Sequence, residues 1–193
     1  FDFIGFDACL MATLETGLML SDYADYMIAS EESEPGMGWD YTALRGFSGR
    51  ENTTVLAEKI VDAYEKSADL YGFKKPDMTL SCLDLKKLND VNEAMAALFG
   101  AMRGSNELDH YIQYAQMRAA TKEFAAGNGF DQIDAMHFAE LVSKSFPDES
   151  KQFINALQDM VVCCTTGVDN ANGVSIYFPF SGGNLYFDYG GEK

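Results

Sequence analysis

Residues 1–11, FDFIGFDACLM, are the part of this sequence that most strongly indicates the fold and the position of a reactive side chain. Its first six residues are apolar on both faces of an extended chain, which predicts a central strand with neighbours on each side. Cys9 falls at the predicted end of that strand, and a helical pattern of apolar residues begins at Leu10. Such a junction presents a side chain beside unpaired backbone N–H groups, which favour thiolate over thiol. Because Asp7 points to the same side as Cys9 in an extended chain, we expect a nucleophile and a negative charge in one cleft.

The composition indicates a folded and strongly acidic protein. Of 193 residues, 47% are hydrophobic, and the formal net charge is −16. This charge repels nucleic acid and anionic membrane surfaces, so we expect neither as a partner, and no segment reads as a membrane span. The charge favours basic substrates or divalent cations, although solubility is the simpler explanation for most of these carboxylates.

The four cysteines differ in what their surroundings predict. Their spacing resembles neither a zinc site nor a disulfide framework. Cys163 and Cys164 follow an apolar run and Cys82 lies in a strand-like segment, so we expect these three to pack as small hydrophobic residues. Only Cys9 has a position with a chemical rationale, and a buried, inert cysteine is its structural alternative.

Strands alternate with helices along the chain, which predicts an α/β sandwich with a largely parallel sheet. A strand over residues 25–30 follows the first helix, and an acidic, glycine-rich loop over 31–39 follows that strand. A right-handed crossover makes the first two strands parallel, and the ligand site of such a sheet lies beyond the carboxyl ends of its strands. The pattern also predicts helices over 52–71, 86–102 and 106–124, a helix that begins at Asp131 or Asp134, and a helix that begins at 148–150. Further strands are predicted over 78–83 and 173–178. A break at 74–76 and a glycine-rich tail beyond 183 complete the prediction.

Three runs of the sequence resemble the clostripain family of cysteine peptidases. They are GFDACLMATLE (5–15), DYADYMIASEESEPGMGWDY (22–41) and NANGVSIYFP (170–179). The resemblance implies a caspase-like three-layer sandwich with additional helices over about residues 86–160. It also implies an endopeptidase that cleaves after arginine and, to a lesser degree, lysine.

The resemblance assigns roles to two residues of the first run. Cys9 matches the nucleophile that forms a thioester with the substrate, and its backbone N–H would supply half of an oxyanion hole. Asp7 matches the acidic residue that selects arginine, because a partly desolvated carboxylate pairs well with a guanidinium group. The structural alternative for Asp7 is a cap at the strand end.

The second run would form a wall of the same pocket. Glu32 would deepen its negative field, and Trp39 would close over the aliphatic stem of a bound arginine. The alternatives are a solvated loop position for Glu32 and a core position for Trp39, and both stay open. For Glu34 we favour a solvated loop residue.

The proton-transfer partner of the cysteine is not evident in the sequence. A cysteine peptidase needs a histidine, which this family carries upstream of the nucleophile. The two histidines here are His110 and His137, and helical patterns predict a solvated or packed role for each. The sequence begins abruptly inside a predicted strand, as a cleaved chain would. The resemblance implies maturation by cleavage, with the catalytic histidine and the first strands on a separate light chain.

Some expectations rest on the resemblance alone. Family members use calcium for activity or maturation, but no ordered spacing of ligands identifies a site here. Secretion or a cell-envelope location is likewise implied. The rival hypothesis is a non-catalytic caspase-like domain that binds basic peptides or a protein partner; the Asp-Ala-Cys run argues against it, whereas the missing histidine favours it.

Overall fold

The computed structural model describes residues 1–72, 78–104, 108–165 and 167–179. Within these ranges the chain folds into two sheets and a set of helices, which confirms the α/β class. The predicted break at 74–76 and the tail beyond 183 lie outside the described residues. The elements are β1 (Phe3–Gly5), α1 (Leu14–Leu20), β2 (Tyr26–Ala29), α2 (Thr53–Tyr71), β3 (Ser81–Asp84), α3 (Leu88–Gly104), α4 (Leu108–Ala120), β4 (Glu123–Phe124), β5 (Gln132–Asp134), α5 (Ala135–Val142), α6 (Pro147–Met160), β6 (Val161–Cys164) and β7 (Ser175–Tyr177).

The larger sheet has the strand order β1-β2-β3-β6. β1 and β2 run parallel, with Ile4 opposite Met27, which confirms the predicted crossover. The pairs β2–β3 and β3–β6 are antiparallel, so the described sheet is mixed and the parallel arrangement holds for β1 and β2. Within the described residues β1 is an edge strand, although its sequence predicts neighbours on both sides.

The two faces of the larger sheet enter separate cores. Met27 and Leu83 face a core built with α1, α3, α5 and α6. Ile28 and Cys82 point to the opposite face of the sheet and pack in a core built with α2. The sheet therefore lies between two helical layers, as expected for a three-layer sandwich.

A second, smaller sheet contains β7, which the sequence predicts, and two short strands, β4 and β5, which it does not. β4, β5 and β7 pair antiparallel in that order. The buried guanidinium group of Arg118 in α4 binds this sheet: it donates to Glu123 at 2.8 Å, to Asp131 at 3.3 Å and to the carbonyl of Phe178 at 2.6 Å. Because a buried charge is stable only when it is paired, these contacts hold α4 against the hairpin.

Capping side chains explain where two helices begin. Asn52 caps α2, as the sequence predicts. Thr13 caps α1 by accepting the N–H of Thr16 at 2.9 Å, so α1 begins at Leu14. The prediction that this helix starts at Leu10 is wrong, because Leu10 has a φ of 63°, which an α-helix does not accommodate.

Short strands account for other differences from the sequence-based expectation. α4 ends at Ala120 and β4 follows where the pattern predicts helix to 124. β5 and β6 have only three and four residues, which is too short for a clear alternation. Cys82 is buried in β3 as expected, and Cys163 and Cys164 are half-buried in β6.

Gly173 offers a test of how the loop before β7 packs. Its φ is 101°, and a Cβ there would lie 3.1 Å from Val161 Cγ1 and 3.2 Å from Ser81 Cβ. Gly173→Ala is therefore expected to lower the free energy of unfolding by about 2 kcal/mol, measured by urea denaturation. Gly36→Ala is the matched control, since its Cβ would meet nothing within 4 Å. Equal losses in the two variants would contradict this packing.

Candidate active site

Cys9 lies in an exposed turn over residues 8–10, between β1 and α1. This turn, and not the first turn of a helix, presents the thiol, so the expected effect of a helix N-terminus does not apply. Two backbone hydrogen bonds tie the chain around Cys9 to the end of β2. Leu10 N–H donates to the carbonyl of Glu32 at 3.2 Å, and Ala12 N–H donates to the carbonyl of Ser30 at 2.9 Å.

The sulfur of Cys9 contacts the loop that follows β2. Its Sγ accepts the backbone N–H of Glu34 at 3.2 Å. Within the described part of the chain, the backbone N–H of Cys9 itself has no hydrogen-bond acceptor. A donor of this kind, free and next to a nucleophile, is available to a developing oxyanion.

The other three thiols are chemically quieter than Cys9. Burial raises the pKa of Cys82 to about 12 and that of Cys163 to about 11. Burial also raises the pKa of Cys164. Since the thiolate is the reactive form, these three are poor nucleophiles at neutral pH, whereas Cys9 is accessible.

Asp7 is held by the loop that follows β2. Its Oδ1 accepts the backbone N–H of Trp39 at 3.1 Å, and its Oδ2 accepts the hydroxyl of Tyr41 at 2.7 Å. Gly38 permits this approach, because its φ is 66° and a Cβ would lie 2.5 Å from both carboxylate oxygens. Asp7 is thus oriented by the loop wall and does not cap the strand end.

Trp39 lies between the carboxylates and the core beside α2. Its indole packs so closely on Gly5 that a Cβ there would lie 2.8 Å from the ring, and the ring also packs on the α2 core. Its Nε1 donates to Glu34 Oε1 at 3.2 Å. The indole therefore packs on the core and also reaches the Glu34 carboxyl group, whereas its contact with a bound arginine stays a prediction.

Glu34 is part of the site, and the expectation of a solvated loop residue is wrong. Its side chain is half-buried and contacts both Trp39 and Asp7. Burial raises its pKa to about 8, the Trp39 hydrogen bond opposes this shift, and Asp7 adds to it. Glu34 therefore favours the protonated form near neutral pH.

The carboxylate of Glu32 points to a different part of the molecule. It accepts the backbone N–H of Ser33 at 2.8 Å and that of Ala125, in the β4–β5 hairpin, at 3.1 Å. The structure thus brings Cys9, Asp7 and Trp39 to one rim and ties Glu32 to the hairpin. A direct contact of Glu32 with substrate stays a prediction.

Sequence reasoning missed two members of this cluster, Glu34 and Tyr41. Tyr41 lies 34 positions from Asp7, and no local pattern signals their contact. For Glu34 a signal exists, because an acidic residue within a loop rich in glycine and aromatic residues has neighbours able to bury it. That signal does not reveal which acid of the loop is buried.

An apolar cavity of about 190 Å³ adjoins the cluster on its β1 side. It is large enough for an aliphatic side chain but not for a folded element. Its lining residues are Phe3, Gly5, Trp39, Asp40, Tyr41, Leu44 and Ile60.

Both histidines have other partners, as their helical patterns predict. His137 in α5 accepts the backbone N–H of Lys122 at its Nδ1, at 2.9 Å. His110 in α4 stacks on Tyr114 with ring centroids 6.2 Å apart. Among the described residues, no hydrogen bond joins either imidazole to Cys9.

The described residues contain neither a cluster suited to a metal ion nor a helix suited to a membrane. Across ranges 1–72, 78–104, 108–165 and 167–179, no group of three or more His, Cys, Asp or Glu side chains is arranged to hold a metal ion. No helix in those ranges has both the length and the apolar character that a bilayer crossing requires. The question of a calcium site stays open.

Comparison with known families identifies the family of the chain. The family model described as the clostripain family, peptidase C11, matches residues 1–192. The chain belongs to the clostripain family. It is a cysteine peptidase of that family, and such chemistry acts on peptide bonds without a cofactor. No curated protein sequence matches the chain.

Solved structures show that the clostripain-family chain shares its fold with bacterial proteases. A clostripain from Bacteroides thetaiotaomicron, in complex with the peptide inhibitor BTN-VLTK-AOMK, superposes with a TM-score of 0.71 at 18% identity, over 97% of this chain and 82% of that one. An inactive zymogen of a C11 protease from Parabacteroides distasonis gives 0.68 at 20% identity, over 94% and 53%. A secreted C11 protease from B. thetaiotaomicron gives 0.68 at 15% identity, over 91% and 49%.

The protonated state of Glu34 predicts how stability depends on pH. Its folded pKa of about 8 exceeds its ordinary value of 4.5, so the folded state binds a proton that the unfolded state releases between these values. The stability that Glu34 contributes is therefore complete below about pH 4.5 and is lost as the pH rises to about 8. Glu34→Gln should remove this component, so the variant gains stability relative to the wild type as the pH rises, measured by urea denaturation from about pH 5 to 9.

Glu58→Gln provides the control for the loss of one negative charge. Glu58 is exposed on α2, so its variant should follow the wild-type pH profile in parallel. A Glu34→Gln profile that also stays parallel to the wild type would show that Glu34 is ionised in the folded protein.

Proposed function

We propose that this chain is the cysteine-bearing part of a clostripain-family endopeptidase that cleaves after arginine and, to a lesser degree, lysine. The observation that carries the proposal is the single rim formed by Cys9 and Asp7, with the loop from Glu34 to Tyr41 in contact with both. An accessible thiol and an oriented carboxylate supply the nucleophile and the charge that such a reaction requires.

In the proposed reaction, the catalytic histidine takes the proton of the Cys9 thiol, and Sγ attacks the carbonyl carbon of the scissile peptide bond. The carbonyl oxygen becomes an oxyanion, for which the free backbone N–H of Cys9 is a ready donor; loss of one such donor typically costs about 100-fold in rate. Collapse of this intermediate breaks the C–N bond and forms a thioester, while the amine leaves with a proton from the catalytic histidine. Water then hydrolyses the thioester and regenerates the thiol.

The substrate preference follows from the partners of Asp7. Its two hydrogen bonds fix the plane of the carboxylate and leave lone pairs that can accept a guanidinium or ammonium group. Trp39 and the adjoining apolar cavity offer a surface for the aliphatic stem of that side chain. Glu32 lies in the loop after β2 and would make the electrostatic potential of the pocket more negative without touching the substrate. The inhibitor of the B. thetaiotaomicron clostripain carries the peptide VLTK, whose last residue is basic, which supports a basic preference.

We also propose that the catalytic histidine lies on a separate light chain, produced by proteolytic maturation. Residues 1–193 would then form the larger part of the domain, with the elaboration over about 86–160. Two observations support this: His110 and His137 have partners in the helical half, and β1 has an open edge within the described sheet that can accept a further strand. The zymogen state named for the P. distasonis protease supports maturation by cleavage.

Secretion or a cell-envelope location completes the proposal. It is supported by the secreted C11 protease from B. thetaiotaomicron that shares this fold. Calcium has no candidate ligand group among the described residues, so its role in activity or maturation is left to experiment.

An arginine-based acyloxymethyl ketone tests the nucleophile. We expect one covalent adduct on Cys9, located by peptide mass spectrometry, because this thiol is accessible and lies beside Asp7. Cys163→Ala should label like the wild type, whereas Cys9→Ala should neither label nor hydrolyse an arginyl reporter. An unlabelled mature protein would favour the rival hypothesis of a non-catalytic domain that binds basic peptides.

Asp7→Asn tests the specificity charge. We expect kcat/KM for an arginyl reporter to fall about 100-fold, because a charge-assisted pair is replaced by a neutral contact. Asp2→Asn is the matched control: it removes one negative charge from an exposed position just before β1 that does not line the cavity. If both variants keep the wild-type preference for arginine, Asp7 does not select the substrate.

Intact-mass analysis of the active enzyme tests the light chain. The active material should contain two polypeptides that stay associated, with the histidine-bearing one lost together with the activity on denaturing separation. A single folded and fully active polypeptide of residues 1–193 would contradict the proposal.

A further inference from the structure

Glu31 is a buried acid that the proposed chemistry does not use. It lies two residues after the end of β2, and only 1% of its surface is exposed. Its Oε2 accepts the backbone N–H of Gly173 at 2.9 Å, whereas its Oε1 has no donor among the described residues. A carboxylate oxygen in that position is poorly stabilised unless it carries a proton and donates.

Asp134 is the group to which Glu31 can donate. The two carboxyl groups are neighbours, because they accept the backbone N–H groups of the consecutive residues Gly173 and Asn172. Asp134 already accepts three hydrogen bonds, from His137 N–H at 2.6 Å, from Asn172 N–H at 2.6 Å and from Asn172 Nδ2 at 2.9 Å. It also caps α5, where the helix dipole favours negative charge. Asp134 is therefore the better site for the charge, and Glu31 the better site for the proton.

The groups around Glu31 and Asp134 favour a state in which the two carboxyl groups together carry one proton and one negative charge. Burial, followed by the charge of Asp134, raises the pKa of Glu31 well above its usual range, and Lys122 opposes the shift. Cys164 faces both acids from β6, and burial raises the pKa of its thiol, so it adds no charge at neutral pH. The imidazole of His137 is occupied by the Lys122 N–H.

The pair is connected to the turn of Cys9 through the backbone. The residues before and after Glu31 bind the segment that follows Cys9 in sequence. The carbonyl of Ser30 accepts the N–H of Ala12, and the carbonyl of Glu32 accepts the N–H of Leu10. Thr79 Oγ1 accepts the backbone N–H groups of Glu31 and Glu32, at 3.1 and 2.9 Å. A displacement of Glu31 therefore moves the segment that supports the turn.

We propose that Glu31 is a positioning residue for the peptidase reaction: its carboxyl group shares a proton with Asp134 and thereby fixes the segment that holds the turn of Cys9. The inference rests on the proposed function, since it takes Cys9 as the nucleophile. When Glu31 loses its proton, a second buried negative charge faces Asp134, and the segment is released. Activity then declines on the alkaline side for a reason separate from the titration of the catalytic groups.

The test compares Glu31→Gln, Glu31→Ala and Glu140→Gln in the mature enzyme. The glutamine amide can accept from Gly173 and donate to Asp134 at any pH, whereas alanine removes both contacts. Glu140 is exposed on α5 and controls for the loss of one charge near the pair. The readouts are kcat/KM for an arginyl reporter and the rate of Cys9 labelling by the acyloxymethyl ketone, each measured from about pH 6 to 10.

We expect Glu31→Gln to match the wild type near neutral pH and to outperform it in alkali. The ratio of the two kcat/KM values should rise by up to about tenfold for each pH unit above the pKa of Glu31. Glu31→Ala should lose about tenfold or more in both readouts at every pH, and Glu140→Gln should follow the wild type. A role in stability alone would lower the melting temperature of the variants and leave the pH profile unchanged.

Two results would overturn the inference while the proposed function stands. One is a wild type labelled on Cys9 whose alkaline decline is shared unchanged by Glu31→Gln. The other is a Glu31→Gln enzyme that is as impaired as Glu31→Ala near neutral pH. If the wild type is neither labelled on Cys9 nor active, the proposed function fails and the inference fails with it. Should Glu31→Ala not fold, the Glu31→Gln profile alone decides.

Discussion

The buried contact between the Glu31 carboxyl group and the backbone N–H of Gly173 is the interaction on which the rest of this structure depends. It joins the end of β2 to the loop between β6 and β7. The carbonyl of Gly173 in turn accepts the hydroxyl of Ser81 at the start of β3. A buried polar group must find such partners, so the position of the loop after β2 follows from this contact.

The loop that starts at Glu31 builds the candidate site from one continuous segment. Its first residues hold the backbone around Cys9, its middle places the Glu34 N–H on the Cys9 sulfur, and its end orients Asp7 through Trp39 and Tyr41. Burial raises the pKa of Glu31 well above its usual range and that of Glu34 to about 8, so the two buried acids of this loop favour the protonated form. One loop can therefore concentrate several carboxyl groups next to a thiol without repelling itself, because burial decides which of them ionise.

Several features of the site could be predicted because they depend on neighbours in sequence. Asp7 and Cys9 were expected in one cleft because they are close in sequence, and both contact the loop after β2, although residues 8–10 form a turn and not extended chain. The loop was evident from its glycines, and the caps at Asn52 and Asp134 follow from side-chain chemistry. The start of α1 could not be predicted from apolar spacing alone, because the cap of Thr13 and the backbone of Leu10 prevent helix over residues 8–13.

The sequence by itself determined the family, the α/β class, and the candidates Cys9 and Asp7. Each of these depends on residues close together in the chain or on a motif long enough to be specific. Only the tertiary structure decided that Glu34 is buried beside Asp7, that Tyr41 completes that contact, and that Glu32 binds the hairpin. Those outcomes depend on residues that are distant in sequence and that share the same buried volume and hydrogen bonds. The residues next to a carboxyl group in sequence do not indicate whether it will be buried or which group will bind it.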